Sequence, residues 1–240
     1  MPASLVGVGV GPGDPELLTT RALRILREAD RVFSPTIALD SVGRAESIVR
    51  EADPAIIVER LVFAIRRDED ARAAAHAAAA DRIVHCLDRG ERVAFITLGD
   101  PNVYSTFHHL AGAVLGRRPH APVETVPGIM AFQDLASRTG LVVLDGTERL
   151  ALLSAVDGPG EAGRALDGAL ADPEAAIVIY KGGRHLPAVA ERLAAAGRLD
   201  GAVFGELLGL PGERVGAAKE AATGPAAYLA TVIVPPAGRA

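Results

Sequence analysis

Residues 5–18, LVGVGVGPGDPELL, restrict the fold more than any other stretch of this 240-residue chain. Three valines alternate with glycines, and this pattern favours a β-strand whose backbone can approach another segment closely or take a positive φ. Pro12 stiffens the following turn, and Asp14-Pro15 is typical of a helix N-cap followed by proline at the first helical position. A strand, a glycine turn and a helix start in this order are typical of sites for nucleotide-like cofactors.

The same turn does not match the two commonest phosphate-binding fingerprints. A dinucleotide fold needs G-x-G-x-x-G and an acidic residue about 20 positions later, at the end of the second strand. Here the third glycine would fall on Pro12 or on Asp14, and the nearest acidic residue, Asp30, precedes the next predicted strand. Neither of the two lysines ends a G-x-x-x-x-G-K-[ST] loop. The turn therefore needs a different ligand.

Alternation of strands and helices along the chain predicts the fold class. In the first half we predict strands at 4–10, 31–34, 56–60, 92–97 and 122–126, and helices at 15–29, 40–51, 68–89 and 103–116. In the second half we predict strands at 149–154, 175–180, 201–206, 212–217 and 226–234, and helices at 129–138, 161–171 and 184–196. The pattern predicts an α/β protein of two α/β domains, 1–124 with a mainly parallel sheet and 125–240 with a mixed sheet. We expect the last two strands to pair as a hairpin.

Composition excludes several classes of function. The net charge of −5 and the pI of about 5.7 argue against a general nucleic-acid or anionic-membrane surface. Aromatic residues are 4% of the chain, so stacking platforms for bases are not expected. No stretch reaches the roughly 20 apolar residues of a membrane span. The single Cys86 and an amino terminus unlike a secretory signal predict a cytoplasmic protein, and the six histidines lack metal-ligand spacing.

Two further strand ends resemble the first turn. Leu98-Gly99-Asp100-Pro101 follows one predicted strand, and a turn at 126–131 follows another. Because ligands of parallel sheets bind beyond the carboxyl ends of strands, the three turns together predict one crevice. The alternative, that all three are only turns, is open at this point because glycine, aspartate and proline are common turn formers.

Five separated motifs, in order along the chain, carry a resemblance to the tetrapyrrole methylases, the S-adenosylmethionine-dependent enzymes of corrin and sirohaem synthesis. They are the opening loop VGVGPGDPELLT around Pro12, TLGDPNVYST at 97–106, VPGIMAF at 126–132, IVIYKGG at 177–183 and AAYLATVIV at 226–234. Two further segments, LPGER at 210–214 and Gly146-x-Glu148-Arg149-Leu150, are most similar to one of its corrin-ring members. The resemblance implies two α/β domains with the cofactor held between them, a homodimer, and methyl transfer to a meso carbon of a reduced tetrapyrrole.

The resemblance also implies contacts with S-adenosylmethionine, residue by residue. Met130-Ala131 occupies the family's usual Thr-Ala place, and Asp100 is the residue expected to bind polar groups of the cofactor. An N-cap for the helix after Pro101 is the structural alternative for Asp100. The expected contacts are Pro12, Leu98, Gly99, Asp100, Val103, Met130, Ala131, Lys181, Leu208 and Thr231.

The catalytic base does not follow from the resemblance. Uroporphyrinogen methylases of this family carry an aspartate just after the second strand, whereas this chain has Phe33-Ser34-Pro35-Thr36 there. The candidates for moving a proton are Tyr104, Thr106, His108, Glu206 and water. The candidates for binding substrate carboxylates are Arg66, Arg67, Arg149 and Arg184, although for each one alone a solvated surface arginine is the more common case.

Four alternatives to this interpretation are open from the sequence. The substrate could carry cobalt, or the methyl group could go to another position of the ring. A nicotinamide-dependent oxidoreductase and a non-catalytic nucleotide-binding module are disfavoured by the incomplete dinucleotide fingerprint.

Overall fold

The computed structural model describes residues 2–63, 69–155 and 160–239, and for residues 69–72 it describes the backbone alone. The chain divides into two compact units, Met1–Met130 and Ala131–Ala240. In the described part of the first unit the strands β1 to β5 are Ser4–Gly9, Arg31–Thr36, Val58–Val62, Arg92–Thr97 and Val123–Val126. Its helices α1 to α4 are Thr20–Glu28, Arg44–Ala52, Glu69–Asp88 and Phe107–Arg117.

The first sheet is parallel throughout, in the order β3-β2-β4-β1-β5. β1 is flanked by β4 and β5, with Val8 opposite Ile96 on one side and opposite Val126 on the other. This register places the carboxyl ends of the three strands next to one another. The loops that follow β4, β1 and β5 therefore meet at one edge of the sheet.

Helices cover both faces of this sheet, which explains why its strands are continuous apolar runs. On one face, Phe95 of β4 packs in a cluster with Ile83 of α3 and Leu110 of α4. On the other face, Val8 of β1 packs in a cluster with residues of α1 and α2 that include Leu26. The parallel sheet predicted for the first half of the chain is confirmed.

Three helix starts in the first unit differ from the prediction. The predicted helix 15–29 is a 3-10 turn, Pro15–Leu17, followed by α1, because the Thr19 hydroxyl accepts a hydrogen bond from Ala22 N at 3.1 Å and starts the helix anew. α2 begins at Arg44 rather than residue 40, and α4 begins at Phe107 rather than residue 103. The predicted start of α3 at residue 68 lies outside the described residues.

The second unit contains a mixed sheet. In its described part the strands β6 to β10 are Arg149–Ser154, Ala175–Tyr180, Val203–Glu206, Arg214–Ala217 and Ala230–Val234. The helices α5 to α8 are Ala131–Thr139, Glu161–Leu170, Leu186–Ala195 and Ala218–Ala221. The order is β6-β7-β10-β8-β9; β6 and β7 are parallel, and the other pairs are antiparallel.

The predicted hairpin between the last two strands is wrong. β9 pairs with β8, whereas β10 lies between β7 and β8. All five residues of β10 are buried, so this apolar segment takes a central position rather than an edge. Among the helices of the described residues, none is both long and apolar enough to cross a bilayer.

A buried carboxylate connects α2 to the sheet. The Glu46 side chain is inaccessible and accepts hydrogen bonds from Arg60 Nε at 2.7 Å and from Arg60 Nη2 at 2.9 Å, while Arg50 Nη2 lies 2.6 Å from Glu46 Oε1. Arg60 Nη1 also donates to the carbonyl oxygen of Leu39 at 2.7 Å. Burial by itself raises the pKa of Glu46, but hydrogen bonding to Arg60, the charges of both arginines and the amide of Gly43 outweigh it and lower the pKa.

We expect Arg60→Met to lower the free energy of unfolding by about 3 kcal/mol at pH 7, because the substitution leaves the buried Glu46 carboxylate with Arg50 and the Gly43 amide but without its bidentate partner. Since the pKa of Glu46 is lowered in the folded state, the stabilisation is present above its ordinary value of 4.5 and is lost as the pH falls through the lowered value. Urea unfolding at several pH values measures the difference. Arg24→Met, which breaks an exposed pair with Glu28, should cost less than about 1 kcal/mol. A loss for Arg60→Met that stays constant down to pH 3.5 would contradict this assignment.

Candidate functional site

Three loops of the first unit meet at the carboxyl edge of its sheet: Val10–Asp14 after β1, Leu98–Ser105 after β4 and Pro127–Met130 after β5. The first two are joined by backbone hydrogen bonds. Gly99 N donates to Gly11 O at 2.8 Å, and Val10 N donates to Thr97 O at 3.0 Å.

Glycine is required where the three loops touch. A Cβ atom on Gly9 would lie 2.4 Å from Gly99 O and 2.6 Å from Gly128 N. A Cβ atom on Gly128 would lie 2.1 Å from Gly99 O. These distances are far below van der Waals contact with backbone atoms that have little room to shift. Glycine at residues 9 and 128 is thus explained by contact between the loops themselves, which form one continuous backbone surface.

Asp100 joins two of these loops. Its Oδ2 accepts a hydrogen bond from Gly128 N at 3.2 Å, and its Oδ1 accepts one from Asn102 N at 2.8 Å. Asp100 does not cap α4, which begins five residues after Asn102, at Phe107. The carboxylate is partly exposed and keeps lone pairs beyond these two amides, so it can still accept hydrogen bonds from a ligand.

The other predicted residues of the first unit differ in exposure. Pro12 is buried in the first loop, whereas Leu98, Val103 and Met130 are partly exposed. Ser105 was missed by the sequence analysis: its hydroxyl lies 3.0 Å from the Thr97 hydroxyl and accepts a hydrogen bond from Phe107 N at 3.1 Å. A serine two residues before a helix is a recognisable turn signal that could have indicated this role.

Among the candidates for moving a proton, Tyr104 and Thr106 are exposed and lie just before α4. Tyr104 has a left-handed backbone, with φ of 47°, and partial burial raises the pKa of its hydroxyl. A tyrosine hydroxyl is already protonated at neutral pH with its ordinary pKa of 10.0, and the upward direction makes this phenol a better hydrogen-bond donor than base. His108 is also exposed, on α4.

Glu206 is buried in the second unit, and both of its carboxylate oxygens are occupied. Arg214 Nε donates to Oε1, and Ala227 N donates to Oε2 at 2.5 Å. Burial raises the pKa of Glu206, but these hydrogen bonds and the charge of Arg214 outweigh it and lower the pKa. A carboxylate held in this way is poorly suited to take a proton from a substrate.

Three of the four predicted residues of the second unit, Lys181, Leu208 and Thr231, lie at one end of β10. Thr231 is buried and stands opposite Tyr180 of β7 and Gly205 of β8. Lys181 N donates to Ala230 O at 3.1 Å. Leu208 follows β8 by two residues and is buried. Antiparallel insertion of β10 therefore brings together three residues that are far apart in sequence.

Backbone segments pack closely at this end of β10. Lys181 has a φ of 59°, and a Cβ atom on Gly183 would lie 1.9 Å from Ala227 O, so the Lys-Gly-Gly segment packs directly against the segment before β10. Burial lowers the pKa of the Lys181 ammonium. The Tyr180 hydroxyl accepts a hydrogen bond from Phe132 N at 3.2 Å, in the first turn of α5 that Ala131 begins. Tyr180 lies within the IVIYKGG motif, but the sequence did not indicate this role for its hydroxyl.

The structure describes two of the four candidate arginines, Arg149 and Arg184. Arg66 and Arg67 lie outside the described residues. Arg149, on β6, donates from Nε to Asp172 at 2.7 Å and lies 3.0 Å from Glu174 through Nη2. Arg184 is exposed on the 3-10 turn that follows Lys-Gly-Gly. Within the part of the chain that the structure describes, no three His, Cys, Asp or Glu side chains are grouped so that they could hold a metal ion.

Comparison with known sequences identifies the family. The family model of the tetrapyrrole (corrin/porphyrin) methylases matches residues 4–222. A precorrin-2 C(20)-methyltransferase from Sinorhizobium sp is 34% identical over 96% of this chain and 94% of its own length. A cobalt-precorrin-2 C(20)-methyltransferase from Salmonella typhimurium is 29% identical over 89% of this chain and 87% of its own length.

Solved structures share the fold. A putative cobalamin synthesis related protein (CobF) from Corynebacterium diphtheriae superposes with a TM-score of 0.71 at 19% identity, covering 98% of this chain and 99% of that protein. A uroporphyrin-III C-methyl transferase from Thermus thermophilus, complexed with S-adenyl homocysteine, gives a TM-score of 0.67 at 24% identity and covers 97% of each chain. Both agree with a pair of α/β sheets, one parallel and one mixed.

We expect Gly9→Ala to lower the free energy of unfolding by about 1–3 kcal/mol or more, because its Cβ would force the three loops apart. Gly112→Ala, within α4 and with no atom within 4 Å of the new Cβ, is the matched control and should be neutral or stabilising by about 1 kcal/mol. Thermal and urea unfolding measure both. If the two variants were equally stable, contact between the loops would not be what requires glycine.

Proposed function

The chain belongs to the tetrapyrrole (corrin/porphyrin) methylase family, and from that premise we propose that it transfers a methyl group from S-adenosylmethionine to the C(20) meso carbon of precorrin-2. The product is then precorrin-3A, on the route to cobalamin. The observation that carries the proposal is 34% identity along almost the full length of both this chain and a relative named for that reaction. The family consists of S-adenosylmethionine-dependent methyltransferases, which displaces the oxidoreductase and binding-module alternatives.

A cobalt-bearing substrate is the second candidate. It is supported by the Salmonella relative, which is named for the cobalt form of the same substrate and is 29% identical. The two candidates share the ring position and differ in the metal. The higher identity to the Sinorhizobium relative favours the metal-free substrate.

We propose that both units contribute the cofactor contacts. In the first unit, the three loops meet at the carboxyl edge of a parallel sheet, where ligands of such sheets bind, and the Asp100 carboxylate can accept hydrogen bonds from ammonium or hydroxyl groups. The expectation that the cofactor lies between the units stays a prediction of the resemblance. The proposed contacts are Pro12, Leu98, Gly99, Asp100, Val103 and Met130 in the first unit, and Ala131, Lys181, Leu208 and Thr231 in the second.

The mechanism requires alignment more than acid-base chemistry. S-adenosylmethionine supplies, when bound, an electrophilic methyl group that an electron-rich carbon can attack in line with the departing sulfur. The loops after β1, β4 and β5 serve to align the two reactants and to exclude water. Such alignment can lower the activation barrier by about 7–11 kcal/mol. The methylated carbon must then lose its proton. Tyr104, protonated at neutral pH, suits hydrogen bonding to the ring, and Glu206 is held by Arg214. Thr106, His108 and water are the remaining candidates for accepting that proton.

The proposal also covers the cationic groups that bind the substrate, the oligomeric state and the location of the protein. A substrate with many carboxylates needs cationic partners, and Arg184, exposed beside the Lys-Gly-Gly segment, is the best placed of the described candidates. We also propose a homodimer, which the family resemblance implies, and a cytoplasmic location, with which a single cysteine agrees. The negative net charge supports small-molecule partners over nucleic acid or membrane.

The function is tested by incubating the protein with S-adenosylmethionine carrying a ¹³C methyl group and either metal-free or cobalt-loaded precorrin-2, and locating the label by NMR. We expect the label at C(20) of the metal-free substrate. Labelling of the cobalt form alone would establish the second candidate. Label at any other carbon would overturn the assigned ring position, and the absence of transfer to either substrate would overturn the proposed reaction.

Two variants make the same assay informative about the site. Asp100→Ala should reduce label transfer about tenfold or more at limiting cofactor, because it removes the carboxylate that joins two loops at the cofactor surface. Asp53→Ala is matched to it: Asp53 also accepts a hydrogen bond from an amide two residues on, Ala55 N at 3.1 Å, but lies at the end of α2, before β3. Its transfer rate should stay within about twofold of the wild type.

A further inference from the structure

The loop between β8 and β9, residues 207–213, has an unusual backbone. Leu207, Gly209 and Gly212 all lie in the left-handed region, with φ of 52°, 68° and 88°. The glycines adopt this conformation at little cost, but Leu207 carries a Cβ atom and is strained there. A strained residue keeps such a conformation only when its surroundings fix it.

A chain of polar contacts from α5 fixes this loop. Glu213 Oε2 accepts a hydrogen bond from Gly209 N at 2.5 Å, across the loop. Arg138 Nη1 donates to both Glu213 oxygens, at 2.8 and 2.9 Å, and Arg138 Nε donates to Asp134 Oδ1 at 2.8 Å. We call Asp134, Arg138 and Glu213 the α5 clamp.

Asp134 is the buried member of the α5 clamp. The Asp134 side chain is 7% exposed, and its Oδ2 has no hydrogen-bond partner among the described residues. Burying a carboxylate in this way is costly unless a cation compensates it, and the compensating guanidinium is that of Arg138. The arrangement therefore holds Arg138 in one place, facing the loop.

The neighbouring residue of the LPGER motif has a separate role. Arg214 pairs with Glu206, and its guanidinium lies 5.7 Å from the centre of the Phe204 ring, so it binds β9 to β8. Glu213 instead binds the loop to α5. The clamp can thus be removed without breaking the pairing of the two strands.

We infer that the α5 clamp sets the position of Leu208, so that Arg138 and Glu213 are positioning residues for S-adenosylmethionine binding. The inference rests on the proposed function, in which Leu208 contacts the cofactor. Leu208 lies between the strained Leu207 and Gly209, whose amide is the group that Glu213 holds. Release of Glu213 lets this turn relax and costs the cofactor a preformed contact.

The test compares Arg138→Met with the wild-type chain by calorimetry with S-adenosylhomocysteine and by steady-state kinetics. We expect Kd for S-adenosylhomocysteine and KM for S-adenosylmethionine to rise about tenfold. At saturating cofactor, kcat and the KM for the tetrapyrrole should stay within about twofold. If the clamp only stabilised the fold, the constants for the cofactor would not change separately from kcat and the KM for the tetrapyrrole.

Two further variants secure the interpretation. Arg192→Met breaks a more exposed arginine–aspartate pair in the same unit, with Asp167 at 2.5 Å, and should leave cofactor binding unchanged. Glu213→Gln keeps an oxygen for Gly209 N but loses the charge that attracts Arg138, and should raise the Kd for S-adenosylhomocysteine about threefold. If Arg138→Met does not fold, the Kd of Glu213→Gln tests the inference in its place. If the wild type binds S-adenosylhomocysteine and neither clamp variant changes its Kd, the inference is wrong. If the wild type itself does not bind, the proposed function is wrong.

Discussion

The first unit depends on the close approach of three backbone segments. Gly9, Gly99 and Gly128 lie so near one another that a side chain at residue 9 or residue 128 would overlap backbone atoms of a neighbouring loop. This contact is possible because β1 lies between β4 and β5 in a parallel sheet, which places three carboxyl ends together. The Asp100 carboxylate reinforces it by accepting a hydrogen bond from Gly128 N. Two residues that take part in this packing, Gly99 and Asp100, are also among the proposed cofactor contacts.

The second unit also brings strand ends together, but by a different sheet topology. Its sheet is mixed, and β10 is inserted antiparallel between β7 and β8, so that the start of one strand meets the ends of two others. Two backbone positions with left-handed φ, Lys181 and Leu207, flank this meeting point. Strained residues of this kind persist where surrounding contacts determine them. Here Lys181 is itself a proposed cofactor contact, and Leu207 precedes another, Leu208. The α5 clamp supplies those contacts for one of the two positions.

The sequence predicted what is encoded locally. Alternation of apolar runs with helices predicted the parallel first sheet, and glycine with proline predicted the turns that follow β1, β4 and β5. The missed features depend on contacts between distant residues. The bond from Asp100 to Gly128 joins residues 28 positions apart, and the Tyr180 hydroxyl meets Phe132 N across 48 positions. The pairing of β10 was predicted wrongly for the same reason: an apolar strand does not reveal which neighbours it lies between.

Whether the three-loop surface binds S-adenosylmethionine is the central question, because Pro12 stands where a dinucleotide site needs glycine. Isothermal titration calorimetry of the full chain with S-adenosylhomocysteine, NADH and ATP tests it most directly. The account predicts saturable binding of S-adenosylhomocysteine and no measurable binding of NADH or ATP. Tight binding of NADH without binding of S-adenosylhomocysteine would contradict it.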